Sequence, residues 1–368
     1  PDGLMEFSVV YTDRALNHMS KKFQKVMNEI NRILKKVYHA KAAILVPGSG
    51  TYGMEAVARQ FCTGKKALVI RDGFFSYRWT QIFDMGGIPA KQTVLKARRT
   101  GTGKQSPWVP TPIAEVVAAI AAEKPDVVIA PHVETAAGII LPDDYLKAVA
   151  KATHAAGGLF VVDCVASGCM WVDMEANDVD VIVTAPQKGW SGTPCCAMVM
   201  LSERAKAVLE GTTSTSFSVD LKKWSSIMDA FLKGGHAYHS TMPTDSLARI
   251  CTVMQEMEAY GFDKLQKEQA ELGSKVRALL DTCGLPSVAA DGFKAPGVVV
   301  CYTTDPEIQS GKKFVGVGLQ IASGVPLQCD EPADFMSFRL GLFGLDKLHN
   351  VDRTVEYLAT ALKQLGLR

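Results

Sequence analysis

Residues 159–190 read LFVVDCVASGCMWVDMEANDVDVIVTAPQKGW, and this stretch decides the fold. It contains two short apolar runs rich in β-branched residues, at 159–162 and 179–184. Such runs are typical of strands buried on both faces of a parallel sheet. The first run ends at Asp163 and the second is followed by Lys188, so both side chains should lie at the carboxyl edge of the sheet, where ligands bind in open α/β folds.

An aspartate and a lysine at that edge match the two main contributions that a protein makes to bound pyridoxal 5'-phosphate. A carboxylate beside the ring nitrogen keeps it protonated, so the ring can take up the electrons left when a Cα–H bond breaks. A partly desolvated lysine amine loses its proton readily and can act as nucleophile and then as base. We therefore predict that Asp163 and Lys188 are catalytic. The simpler interpretation makes Asp163 a turn former and Lys188 a solvated surface lysine.

The order of elements along the chain predicts an α/β fold. Strand, helix and strand patterns repeat through the first two thirds of the sequence, which favours a doubly wound, mostly parallel sheet. From residue 244 two long helices precede strand-like segments at 297–304, 314–323 and 337–344 and a final helix, a pattern typical of a smaller α+β domain. We place the large domain at 16–243 and the small C-terminal domain at 244–368, together with the N-terminal segment 1–15.

A glycine-rich turn follows the first predicted strand. Gly48, Gly50 and Gly53 fit the GxGxxG pattern, and the next strand ends at Asp72, where a dinucleotide-binding fold keeps its ribose-binding acid. Glycine-rich loops that lead into helices bind phosphate generally, because free N–H groups and the helix dipole point at the anion. The turn therefore fits a nicotinamide dinucleotide, the single phosphate of another cofactor, or a tight turn without a ligand.

Seven segments in a fixed order resemble the class V aminotransferases of the alanine or serine:glyoxylate (or pyruvate) type. They are PGSGTYGMEA, RDGFFSYRW, PHVETAAGIILP, VVDCVASG, APQKGW, AYHSTMP and FRLGLFG. The resemblance implies a fold-type I transferase that depends on pyridoxal 5'-phosphate. It also implies that the enzyme moves an amino group from a small amino acid to a 2-oxo acid by a ping-pong mechanism, with Lys188 as the Schiff-base lysine.

The same resemblance assigns the remaining site residues. Ser49, Gly50 and Thr51 would hold the cofactor phosphate, Phe75 and Val165 would pack on the two faces of the ring, and Thr135, Gln187, Asp163 and Lys188 would complete the cofactor contacts. Tyr238 and Thr241 would reach the cofactor phosphate of the neighbouring subunit, which implies a homodimer with shared sites.

Arg339 is the predicted substrate-binding residue. It lies within an apolar, strand-like segment, where an unpaired cation is costly and a planar carboxylate is its best partner. The resemblance places the clamp for the substrate α-carboxylate at this arginine, and the alternative is a structural salt bridge. The Pro-Gly-Pro turn that bounds the substrate pocket in the family is missing from the N-terminal segment, so the amino donor and acceptor stay open.

Three rival functions are open at this stage. A cysteine desulfurase or lyase of the same fold could use Cys329, a dehydrogenase could bind NAD at the glycine turn, and a binding protein could keep the fold without catalysis. The surroundings of Cys329, VPLQCDEP, do not resemble the Arg/Gly/His-rich cysteine loop of desulfurases.

The composition of the chain limits the kinds of partner that we expect it to bind. The net charge is +2, and the basic residues form scattered doublets, so nucleic acid is not an expected partner. No apolar run approaches the ~20 residues of a membrane span. Nine cysteines without CxxC pairs favour reduced thiols in a cytoplasmic protein. His236 and His239 lack the neighbouring ligands that a metal site needs, so we expect no metal.

Overall fold

The structure is a computed structural model and describes residues 4–368. Its helices in chain order are α1 (Lys21–Tyr38), α2 (Gly50–Val57), which continues as a π-helical turn (Ala58–Cys62), α3 (Phe74–Gly86), α4 (Ile113–Glu123), α5 (Asp143–Ala155), α6 (Glu203–Glu210), α7 (Leu221–Leu232), α8 (Thr244–Tyr260), α9 (Phe262–Thr282), α10 (Pro306–Gln309), α11 (Lys312–Gly316), α12 (Leu345–Leu348) and α13 (Val351–Gln364).

The strands follow the same order. They are β1 (Ala42–Pro47), β2 (Lys66–Arg71), β3 (Lys91–Lys96), β4 (Arg98–Arg99), β5 (Trp108–Val109), β6 (Val127–Pro131), β7 (Val133–Glu134), β8 (Ile139–Ile140), β9 (Leu159–Asp163), β10 (Val181–Thr184), β11 (Cys196–Leu201), β12 (Val298–Tyr302), β13 (Ala322–Ser323) and β14 (Ser337–Gly341).

The central sheet of residues 4–368 has seven strands in the order β1-β11-β10-β9-β6-β2-β3. The five strands from β10 to β3 are parallel, whereas β11 runs antiparallel between β10 and β1. The two apolar runs of the 159–190 stretch form the adjacent strands β9 and β10, as predicted. Asp163 is the last residue of β9 and pairs with Pro131 at the end of β6, so it lies at the carboxyl edge of the sheet. The predicted α/β fold with a mostly parallel sheet is confirmed.

The helix α1 shows how sequence signals set the ends of a helix and its buried face. In α1, Ser20 caps the first turn by accepting a hydrogen bond from the Phe23 N–H, and the helix ends at His39 in a left-handed conformation. The helix buries the apolar side chains Phe23, Ile30 and Leu34, which recur at helical spacing. Among residues 4–368, no helix combines the length and apolar character needed to cross a membrane.

The C-terminal part contains a second sheet, β12-β14-β13. Here the sequence-based prediction of a strand over 314–323 is wrong. Residues 312–316 form the short helix α11, and only Ala322 and Ser323 pair as a strand. Gly311 and Gly318 have φ angles of 81° and 83°, so left-handed glycines bound the helix on both sides and stop an extended strand from forming. The apolar side chain of Phe314 is buried, but Phe314 belongs to this helix and not to a strand.

Candidate active site

A cavity of about 240 Å³ opens at the carboxyl edge of the central sheet. Nine of the predicted site residues line it, and they come from segments that are far apart in sequence. These nine residues are Ser49, Gly50, Thr51, Phe75, Thr135, Asp163, Val165, Gln187 and Lys188. The fold therefore assembles in one place most of the groups that the sequence analysis singled out.

Lys188 is deeply placed yet has no bonded partner. Its amine forms no hydrogen bond or ion pair within residues 4–368, and its Nζ lies 5.7 Å from the centre of the Phe75 ring. Burial lowers the pKa of Lys188, and the nearby cations Arg339 and Arg78 lower it further, while Asp163 opposes the shift. The site thus makes it easier for this amine to lose its proton and react.

Asp163 borders the same cavity. Its Oδ1 accepts a hydrogen bond from the Val165 N–H at 3.0 Å, whereas Oδ2 accepts none from the described residues. Burial raises the pKa of Asp163 to about 6, against the opposing effects of that hydrogen bond and of Lys188. A carboxylate with one unbonded oxygen in a desolvated site is suited to a cationic ring N–H.

The glycine-rich turn leads directly into α2. Ser49 occupies the cap position, but its side chain makes no capping hydrogen bond, so the first N–H groups of the helix have no side-chain acceptor. A Cβ on Gly50 would come within 2.9 Å of the Val165 side chain, so only glycine fits between this turn and the β9 loop. Thr51 is contacted by a residue that the sequence analysis missed, because Arg78 Nη1 donates a hydrogen bond to Thr51 Oγ1 at 3.0 Å.

Arg78 could have been found from spacing alone. It lies three residues after Phe75 in α3, and residues three apart share one face of a helix. Its guanidinium carbon lies 5.3 Å from the centre of the Phe75 ring, and the arginine lines the cavity. The α3 helix therefore brings a ring and a cation to the site together.

Glu134 fixes the start of α3. Its two carboxylate oxygens accept hydrogen bonds from the N–H groups of Phe75 and Ser76 and from the Ser76 hydroxyl. The Ala136 N–H also donates to Glu134, at 3.0 Å. The carboxylate at a helix N-terminus is stabilised by these free N–H groups. Glu134 is thus a structural residue that orients Phe75.

Arg339 reaches the site from β14 of the second sheet. Its Nε donates to the Ser323 carbonyl at 2.7 Å, and its Nη1 lies 3.4 Å from Thr135 Oγ1. Its guanidinium carbon is 5.3 Å from the Phe75 ring centre. No carboxylate of residues 4–368 pairs with it, so the salt bridge considered as an alternative is not formed within the described part of the chain.

Tyr238 and Thr241 do not line this cavity. Both are exposed, and their hydroxyl groups lie 3.1 Å apart in a mutual hydrogen bond. The structure therefore leaves this pair outside the site of its own subunit.

Two rival functions lose their structural basis. The Cys329 thiol is buried and donates to the Arg71 carbonyl at 3.4 Å, and burial raises its pKa. A buried, protonated thiol is not suited to accept sulfur. Asp72 is fully buried, and its carboxyl group has no hydrogen-bond partner among residues 4–368. Burial raises the pKa of Asp72 well above its usual range, and Asp72 does not line the cavity beside the glycine turn, so it is not placed to bind a ribose there.

Comparisons with known proteins identify several similar chains. A relative from Synechococcus sp., named "Soluble hydrogenase, small subunit", is 25% identical and is matched over 95% of this chain and 88% of its own length. The L-aspartate–glyoxylate aminotransferase of Paracoccus denitrificans is 28% identical over 73% of this chain and 66% of its own. The solved structure of an alanine–glyoxylate aminotransferase from Nostoc sp. superposes with a TM-score of 0.79 at 20% identity, covering 94% of this chain and 89% of the other.

The family assignment rests on the match to a family model. The profile of the family "Aminotransferase class-V" aligns with residues 5–332, which include the glycine turn, Asp163 and Lys188. The structural neighbour has the fold expected for that family. The chain belongs to the class-V aminotransferases.

Proposed function

We propose that this aminotransferase uses pyridoxal 5'-phosphate to move an amino group from a small amino acid, alanine or serine, to glyoxylate or pyruvate. The observation that carries the proposal is the unpaired amine of Lys188, which shares one cavity with the half-bonded carboxylate of Asp163. The family name and the relative that acts on glyoxylate support the reaction class. The name of that relative adds aspartate as a donor to test.

The residues of the cavity fit this cofactor. Ser49, Gly50 and Thr51 present the start of α2 to a phosphate, since that helix end has no side-chain cap. Phe75 and Val165 supply apolar surfaces for a ring, and Thr135 and Gln187 add polar groups at the border of the cavity. Bound there, the cofactor would supply an aldehyde for an amine and a ring that takes up the electrons of a breaking Cα–H bond.

The side chains of this chain would do the rest. Burial lowers the pKa of Lys188, so its amine would lose its proton more readily, attack the aldehyde and later carry the proton that leaves the substrate Cα. The free oxygen of Asp163 would accept the ring N–H. Arg339 is oriented by the hydrogen bond from its Nε to the Ser323 carbonyl. A terminal nitrogen of the guanidinium is then left for the substrate carboxylate.

We further infer a homodimer in which Tyr238 and Thr241 complete the site of the neighbouring subunit. Both hydroxyl groups are exposed and lie outside the cavity of their own subunit, which is the placement that this role requires. We keep the domain boundaries 16–243 and 244–368 with 1–15 as part of this proposal. All nine cysteines are free thiols in the described structure, which supports a reducing compartment such as the cytoplasm.

The decisive experiment traps the cofactor covalently. Purified protein is incubated with pyridoxal phosphate, reduced with borohydride, digested and mapped by mass spectrometry, and we expect the reduced adduct on Lys188. The variant Lys188→Ala should carry no adduct, while Lys147→Ala, at another lysine of the large domain, should retain it. An adduct on other lysines alone would refute the proposal.

Substrates are then identified with the cofactor-loaded protein. Alanine, serine and aspartate are each paired with glyoxylate or pyruvate, and formation of the new amino acid is measured. Initial rates at several fixed acceptor concentrations should give parallel double-reciprocal lines, because the two half-reactions are separated in a ping-pong scheme. Intersecting lines would exclude that scheme.

A further inference from the structure

We propose that Arg78 is a ligand of the cofactor phosphate, acting with the turn formed by residues 49–51. This inference rests on the proposed function and adds a binding residue that the family resemblance did not supply. Arg78 lies in the second turn of α3 and lines the cavity. Its hydrogen bond to Thr51 places the guanidinium beside the start of α2.

Arg78 has no counter-ion among residues 4–368. Arg78 is half-buried, yet no carboxylate of residues 4–368 lies within 4.0 Å of it, whereas Arg59 pairs with Glu55 at 2.7 Å. Removing a cation from water is unfavourable unless an anion replaces the lost hydration. Arg78 lines the same cavity as Lys188, and its positive charge lowers the pKa of that amine. A doubly negative phosphate would supply the anion that Arg78 lacks among the described residues.

Two independent anion-binding features lie side by side at the start of α2. The uncapped N-terminus of α2 presents N–H groups and the positive end of a helix dipole. A guanidinium offers a planar set of donors that matches phosphate oxygens, and Arg78 holds this set next to Thr51. The ring of Phe75 lies under the guanidinium carbon at 5.3 Å and limits where the arginine can move.

A phosphate ligand and a structural link predict different binding data. If Arg78 only joined α3 to the glycine turn, its loss would disturb every ligand of the cavity. If it binds phosphate, its loss should matter only for a ligand that carries phosphate. Pyridoxal 5'-phosphate and pyridoxal differ by that group alone, so they form the required pair of probes.

The experiment measures the dissociation constants of both probes with cofactor-free protein, by equilibrium dialysis. We compare wild type with Arg78→Gln and Arg78→Lys. For Arg78→Gln we expect about 10- to 100-fold weaker binding of pyridoxal phosphate, the range for a charge-assisted hydrogen bond, and pyridoxal binding within about twofold of wild type. The dissociation constant of Arg78→Lys for pyridoxal phosphate should lie between those of wild type and Arg78→Gln, since lysine keeps the charge without the planar donors.

The control is Arg98→Gln, because Arg98 pairs with Glu115 on the exposed surface and does not line the cavity. It should bind both probes as wild type does. Inorganic phosphate should compete with pyridoxal phosphate less effectively in Arg78→Gln than in wild type.

Several outcomes would overturn the assignment. Equal weakening of both probes would make Arg78 a structural residue, and unchanged binding of pyridoxal phosphate would remove it from the phosphate site. A raised KM for aspartate with unchanged cofactor binding would assign it to a substrate carboxylate instead. Wild-type protein that takes up neither probe would refute the proposed function as well, whereas uptake by wild type keeps the two questions separate.

Discussion

The carboxylate of Glu134 accepts hydrogen bonds from both the N–H and the hydroxyl of Ser76, at 2.8 Å and 2.7 Å. Glu134 ends the short strand β7, which follows β6, and Ser76 lies in the first turn of α3, so this contact joins the sheet edge to the helix that carries Phe75 and Arg78. Because the carboxylate is buried, each of its hydrogen bonds replaces lost hydration and fixes the angle at which α3 enters the site.

Glu134→Gln should therefore destabilise the protein. The amide can accept at one oxygen only, and its NH₂ group would face donors, so we expect a loss of about 2–4 kcal/mol in the free energy of unfolding. Urea denaturation measures it. Glu256→Gln, at an exposed position, should change the value by less than about 0.5 kcal/mol. Equal stability of the two variants would mean that Glu134 does not anchor α3.

Gly189→Ala should displace the loop that carries Lys188. A Cβ at Gly189 would lie 2.1 Å from the carbonyl oxygen of Gly168, and a backbone atom cannot move aside as a flexible side chain can. We expect a loss of about 3 kcal/mol or more in stability, together with weaker cofactor uptake. Gly211→Ala is the control, since its nearest neighbour would be 3.7 Å away. Normal cofactor uptake by Gly189→Ala would contradict the tight packing of this loop.

The stability of the cofactor-free protein should depend on the ionisation of Asp163. Its pKa is raised by burial to about 6, above the unfolded value of 3.8, so the folded state prefers the protonated acid. Stability should consequently fall as the pH rises from about 4 to 6, and then stay low, with a total change of at most about 3 kcal/mol.

The variant Asp163→Asn isolates this effect. Its stability relative to wild type should rise over the same pH interval, as followed by denaturation at a series of pH values. Added pyridoxal phosphate should abolish the advantage of the variant, because the ring N–H pairs with the carboxylate but not with the amide. A difference that does not change with pH would show that Asp163 titrates normally.

Arg339→Lys should weaken substrate binding without affecting the cofactor. The Ser323 carbonyl holds Nε at 2.7 Å, so the terminal nitrogens are oriented for a carboxylate in a way that a lysine cannot copy. We expect the KM of the amino donor to rise about 10- to 100-fold, with an unchanged dissociation constant for pyridoxal phosphate. Arg353→Lys, which alters an exposed ion pair with Asp346, should leave both values unchanged. An unchanged KM in Arg339→Lys would exclude the clamp.

Mixed dimers test the role of Tyr238 and Thr241. Lys188→Ala and the double variant Tyr238→Ala/Thr241→Ala should each be nearly inactive. When they are unfolded and refolded together, activity should recover to about a quarter of wild type, because half of the dimers are mixed and each has one complete site. Sedimentation should give about twice the chain mass of 39.7 kDa. No recovery in mixtures shown to contain mixed dimers would refute the shared site.

Much of the site was predictable because parallel strands place their ends together. Asp163 ends β9 and Lys188 follows β10, and these strands are neighbours in the sheet. The glycine turn follows from the same reasoning, since it comes after β1, whereas Phe75, which comes after β2, was predicted from the family resemblance. Local patterns and that resemblance together therefore predicted most of the residues that line the cavity.

The small domain shows where local patterns fail. The apolar segment 314–323 has the composition of a strand, but the left-handed glycines Gly311 and Gly318 bound a helix there. Which apolar face is buried depends on the packing partner, and the segment itself does not contain that information.

The sequence by itself determined the sheet and the placement of Asp163 and Lys188 at its carboxyl edge, because these depend on hydrophobic periodicity and on where each strand ends. Only the tertiary structure decided that Arg339 meets Thr135, that Arg78 meets Thr51 and that Glu134 binds the start of α3. These contacts join residues that are 27 to 204 positions apart. The reason is physical, since a side chain far along the chain finds its partner only when the packed core fixes the direction of both.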